Sequence, residues 1–137
     1  MPQYEDCIVF LLAKAYQNAH NNIKKRLQPY SLTPPQHLIL EALWDKEGLS
    51  AGDVCKRLVL DSATVSGVLD RMAEKDWIIK KTDAEDNRVL RIYLSSKAKE
   101  MKSLLIDQRK QANDDILNGF TFEENVLLKH LLRDLRG

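Results

Sequence analysis

The stretch from Asp61 to Leu94 allows few folds. Val65, Val68, Leu69 and Met72 recur at the i, i+3, i+4, i+7 spacing of one buried helix face. The opposite face carries Ala63, Gly67 and Asp70, flanked by Ser66, Thr64 and Arg71. This helix is expected to end near Asp76, where a brief β-prone run, Trp77-Ile78-Ile79, leads into Lys80-Lys81. The segment from Thr82 to Arg88 is a turn crowded with charge. Val89, Arg91 and Tyr93 then alternate with Leu90, Ile92 and Leu94, as a returning strand does.

The flanking segments read as helices. Residues 4–28 carry Ile8, Leu12, Ala15, Ala19, Ile23 and Leu27 at spacings of three and four, and Pro29 closes the run. Such a helix suits either a core or an interface between subunits. Thr33, Pro34 and Gln36 form a helix start with a capping box, and the helix runs through Leu38, Ile39, Ala42, Leu43 and Trp44 to Lys46-Glu47-Gly48. Ser50, answered by Asp53, caps a short helix carrying Val54, Leu58 and Val59. A short joint at Leu60-Asp61 leads into the helix of the opening stretch, so the two helices form a helix-turn-helix signature. Ser95 or Ser96 caps a helix over about 96–117, Gly119 breaks it, and Thr121 to Glu124 is a second capping box before a final leucine-rich helix. The expected fold class is mainly α with a small β-hairpin wing: a winged helix-turn-helix flanked by N- and C-terminal helices.

Composition narrows the function. A chain of 137 residues makes one ordinary domain, and its net formal charge of +1 argues against a coat of nonspecific positive charge. Two cysteines without a CxxC point to a reducing cytoplasm, and the longest apolar run, Cys7 to Ala13, is too short to span a membrane. Three dispersed histidines supply no metal cluster, and no cofactor motif, nucleophile motif or phosphate loop stands out, so an enzyme is not expected.

At this point the residues resemble the MarR family of bacterial transcriptional regulators over nearly the whole chain. The resemblance rests on Leu32-Thr33-x-x-Gln36-x-x-Ile39-Leu40, on Leu60 to Val65, on Asp83-x-x-Asp86-x-Arg88-x-x-Arg91-Ile92-x-Leu94-Ser95 and on Lys97 to Glu100. Asp76 and Ala98 stand where the family often has glycine, and Asn87 where a second basic residue is common. The resemblance implies a single domain over 1–137, with 4–29 and 96–137 as dimerisation helices around a DNA-binding region at 33–95.

Short polar residues at a helix start can reach base edges in the major groove of double-stranded DNA. Ser62, Ala63, Thr64, Ser66 and Gly67 are the candidates for that role, unless Ser62 merely caps. Arg71, Lys56, Lys80, Lys81, Asn87, Arg88 and Arg91 are candidate DNA contacts, with Arg88 foremost as the wing tip. Arg91 has a competing reading as an intramolecular ion-pair partner. Asp86 is expected to position Arg88, since a carboxylate does not attract DNA. Asp70 and Glu74 are expected to stay off the phosphates, with Arg71 and Lys75 near enough to compensate them. Two such units on a dyad would read a near-palindromic operator as a homodimer.

Control is less legible. Tyr16, His20, His37 and Trp44 are candidate contacts for a small aromatic or phenolic effector between the dimer helices and the DNA-binding region. Each also reads as an ordinary core or surface residue. Peroxide-sensing members of the family carry a reactive cysteine in the first helix; that place falls near Val9, two residues from Cys7. Cys55 sits in a helix expected to be buried. The expectation is a repressor released by a small molecule. The alternatives are a thiol-based, peroxide-responsive repressor and a protein-interaction module on a winged-helix fold.

Overall fold

A computed structural model describes residues 1–137. The helices are α1 (Ile8–Leu27), α2 (Pro34–Asp45), α3 (Ala51–Arg57), α4 (Ser62–Glu74), α5 (Ser96–Glu100), α6 (Lys102–Leu117) and α7 (Phe122–Leu135). Three strands, β1 (Leu49–Ser50), β2 (Ile78–Thr82) and β3 (Leu90–Leu94), form an antiparallel sheet in the order β1-β3-β2. The fold is mainly helical with a small sheet, as the sequence predicts.

Local chemistry starts most of the helices. Thr33 with Gln36, Ser50 with Asp53 and Thr121 with Glu124 each close a reciprocal capping box. Ser95, not Ser96, caps α5; its buried hydroxyl accepts from the Ala98 amide and donates to the Asp76 carbonyl. Asp76 ends the α4 turn with φ +62, a left-handed conformation that Asp tolerates better than most residues. Gly48 takes φ +81 beneath the Tyr93 ring, whose hydroxyl would lie 3.6 Å from an added Cβ. A side chain there meets the backbone penalty, while the ring lies at ordinary contact distance.

Three boundaries differ from expectation, and one strand is additional. The first helix begins at Ile8 rather than residue 4, because Cys7 is extended and Gln3–Asp6 form a separate 3-10 turn closed by the Cys7 amide on the Tyr4 carbonyl. The helix expected over 96–117 breaks at Met101 into α5 and α6, where ψ rises to 0. The first wing strand reaches Thr82, so Lys80 and Lys81 are strand residues with alternating faces. The hairpin is also joined by a third strand: Leu49 and Ser50 pair with Ile92 and Arg91. A two-residue strand carries too little alternation to be read from sequence.

One core serves the sheet and α2–α4. Ile39, Leu40 and Leu43 of α2, Val54 of α3, Met72 of α4, Trp77 and Ile92 are fully buried there. Leu27 at the end of α1 and Leu105 of α6 join the same cluster. Burying each such side chain stabilises the fold by about 1.5–3 kcal/mol. Further out, α1 and α6 are laced by polar pairs: Asp115 accepts from Asn22 and Arg26, and Arg26 also reaches Gln108 and Gln111. By contrast α7 buries no residue.

Candidate nucleic-acid interface and ligand cavity

The start of α4 is an open hydroxyl-bearing face. Asp61, not Ser62, is the N-cap: its carboxylate accepts from the Ala63 amide at 3.0 Å. Ser62 is therefore released from the capping role, and Ser62, Ala63, Thr64 and Ser66 are all exposed. Thr64 spends its hydroxyl proton on the Asp61 carbonyl, which leaves its methyl and oxygen lone pairs outward. Gly67 gives Arg71 room to fold back along the helix; an added Cβ would stand 3.4 Å from Nη1.

The wing turn is built from its own acids. Its ends close through the Asp83 amide on the Val89 carbonyl and the Val89 amide on the Asp86 carbonyl. Asp86 accepts from the Arg88 backbone amide and, through both oxygens, from Nε at 3.1 Å and Nη2 at 3.3 Å. This bidentate fork holds Asp86 below the usual carboxylate range, chiefly through the Arg88 side chain and then its amide. The Arg88 side chain stays 90% exposed at the tip, so its charge faces outward while its direction is set. Asn87 is exposed beside it.

Other candidates divide by strand alternation. Lys81 is exposed, with its ammonium 5.2 Å from the centre of the Tyr93 ring. Lys80 points the other way, toward α4, and pairs with Asp70. This corrects two expectations: Lys80 is not a free phosphate contact, and Lys80 rather than Arg71 neutralises Asp70. Lys75 instead donates to the Ser31 carbonyl. Arg91 likewise turns inward, with Nε donating to Asp83 at 2.8 Å and Nη1 to the Gly48 carbonyl at 3.0 Å. Asp53 of the α3 cap lies 3.9 Å from the same guanidinium. Arg91 thus pins the wing base to the β1–α3 corner, which is the ion-pair reading rather than the phosphate one. Asp83 is held below its ordinary range first by the Glu85 amide and then by Arg91. Lys56 is exposed on α3, and its neighbour Arg57 pairs with Asp45.

A second feature lies where α1, α2 and α6 meet. A cavity of about 280 Å³ is lined there by Tyr16, Ile23, His37, Leu38, Arg109 and Ile116, among others. It brings Tyr16, His20 and His37 together; the Tyr16 hydroxyl lies 3.3 Å from His20 Nδ1. Trp44 is outside it, a correction: its indole N–H donates to the Ala98 carbonyl and its ring packs on the core. Arg109, by contrast, enters the cavity unsignalled by the sequence. A lone arginine in a polar helix carries no pattern signal, and its partner Glu41 is 68 residues away. Cys7 is exposed, whereas Cys55 is half-buried rather than buried.

His37 is 3% exposed, with Nε2 3.4 Å from Glu41. Burial pushes its pKa below the ordinary 6.5, opposed by the Glu41 charge and assisted by Arg109. The unfolded chain therefore takes up this proton first on acidification. Stability should be level above about pH 7, fall as pH drops through the unfolded value, and level again below the folded one. His37→Gln should flatten that segment in urea titrations followed across pH; an unchanged slope would assign it to other groups.

Comparison with known proteins places this architecture. A family model described as the MarR family matches residues 32–90. The transcriptional regulator MgrA of Staphylococcus aureus is 36% identical over 101 residues, covering 74% of this chain and 66% of MgrA. The transcriptional regulator TtmR of Methylorubrum extorquens is 34% identical over 94 residues, covering 69% of this chain and 47% of TtmR, so the matched stretch spans about half of that relative. Among solved structures, Bordetella bronchiseptica BpsR, described with regulation of its DNA binding by 6-hydroxynicotinic acid, superposes with a TM-score of 0.91 at 25% identity, covering 98% of this chain and 96% of that one.

Proposed function

This chain belongs to the MarR family of transcriptional regulators, and from that premise we propose that it is a homodimeric repressor of a near-palindromic operator, released when a small aromatic acid enters the α1–α2–α6 cavity. In this reading residues 33–95 contact DNA, and 4–29 with 96–137 build the dimer. Ser62, Ala63, Thr64, Ser66 and Gly67 read base edges in the major groove. Arg88 enters the adjacent minor groove, and Lys56, Arg71, Lys81 and Asn87 meet the phosphate backbone. Lys80 and Arg91 shape the wing instead.

The observation that carries this reading is the exposed, hydroxyl-bearing face of α4, capped by Asp61, beside a wing tip whose exposed arginine is held by Asp86. The apolar residues left exposed on α1 and α7 support the dimer, because contiguous exposed apolar surface marks an interface. The cavity supports an effector because it is mostly apolar with a few polar groups. BpsR, the structural relative described with 6-hydroxynicotinic acid, supports the acid class.

Selection from a random duplex library should return a dyad-symmetric site with half-sites about 34 Å apart, one helical turn. Fluorescence anisotropy should then show that site bound at least about 10³-fold more tightly than a scrambled duplex, with a steep salt dependence. Equal affinity for the two duplexes would abandon operator reading in favour of a protein-interaction module on the same fold.

A further inference from the structure

Glu41 does not line the cavity, yet its carboxylate holds the only arginine or lysine that does. Arg109 Nε of α6 donates to Glu41 Oε2 of α2. The same oxygen lies 3.4 Å from His37 Nε2, a buried nitrogen with no hydrogen-bond partner. The polar corner of the cavity is thus already balanced: one guanidinium, one carboxylate and one imidazole. An aromatic acid would bring a second carboxylate to the same guanidinium.

We infer that Glu41 is a built-in competitor for acidic effectors, occupying the Arg109 guanidinium that an effector carboxylate must win or share. This rests on the cavity being the effector site. Two carboxylates close together on one cation repel, so Glu41 raises the threshold for acids and leaves neutral rings unaffected. The pair also ties α2, in the DNA-binding region, to α6, in the proposed dimerisation region. An acid that displaces Glu41 therefore releases a tie between the two, whereas a neutral ring of the same shape does not. One ion pair thereby sets both which ligands bind and which of them act.

Benzoate and benzamide share a ring and differ in charge, which makes them suitable probes. Each is titrated by calorimetry into the full chain, into Glu41→Gln, and into the charge-neutral double variant Glu41→Gln/Arg109→Gln. Glu41→Gln should bind benzoate about tenfold more tightly and benzamide within about twofold of the parent, and the double variant should lose the gain. If the parent binds benzoate and Glu41→Gln binds it no better, or if both probes tighten alike, the competitor role is wrong and the cavity reading stands. If benzoate binds none of the three proteins, both are wrong.

Discussion

Arg88→Ala is expected to weaken operator binding by about 30- to 1,000-fold while leaving the fold intact. The guanidinium stands 90% exposed at the wing tip, and Asp86 grips it through two side-chain hydrogen bonds while also accepting from the Arg88 backbone amide. That grip orients the arginine before DNA arrives, so little side-chain entropy is lost on binding. A contact of this kind is worth about 1–2 kcal/mol, and a dimer makes it twice. Removing one guanidinium charge from each groove should make the salt dependence shallower by at most about 1.8 in log–log slope. Asp86→Ala should move affinity the same way by a smaller factor, because the charge remains and only its direction is lost. Urea midpoints for both variants should match the parent, since neither side chain enters the core. Parent-like operator affinity for Arg88→Ala would take this residue out of the mechanism.

If the chain is the proposed homodimer, Leu131→Glu should convert it to a monomer at micromolar concentration, as read by multi-angle light scattering. Leu131 is 48% exposed on α7, in line with exposed Leu127, Leu132 and Leu135, while Ile8, Leu11 and Leu12 are exposed on α1. Exposed apolar surface of that extent marks an interface, and in the proposed homodimer a second copy covers it. Losing a leucine's burial costs about 1.5–3 kcal/mol per copy, so a dyad interface loses about 3–6 kcal/mol, or 10²- to 10⁴-fold in the dimer constant. Operator affinity should fall with it, because one α4 then reads half a site. The Leu→Glu change adds a carboxylate where none is needed, so Leu131→Ala serves as the milder control and should weaken the dimer less. A variant that stays dimeric would move the interface away from α7.

Much of the fold is legible because it is local. The capping boxes at Thr33, Ser50 and Thr121 span three residues, and the buried face of α4 is set by periodicity along one helix. Where local signals are short or divided, the reading slips: β1 has two residues, and the break at Met101 leaves the hydrogen bonds of the Met101 amide to Lys97 and Leu105 amide to Met101 intact.

The candidate site shows the same boundary more sharply. Sequence alone identifies the exposed start of α4, the charged turn, and Asp86 and Arg88 two residues apart, since all of these depend on separations of a few residues. Which cations are free is decided elsewhere. Lys80 is neutralised by Asp70 because strand alternation turns it toward α4. Arg91 meets the Gly48 carbonyl only because β1 has joined β3. Trp44 leaves the cavity because its indole reaches Ala98, and Arg109 enters it because α6 lies against α1 and α2. The sequence by itself determines the elements and their chemical faces, because capping and periodicity act over one or two turns. Only the tertiary structure decides which charges are free, paired or poised beside a cavity, because partners such as Asp70 with Lys80 and Glu41 with Arg109, 10 and 68 residues apart, are chosen by how the elements pack.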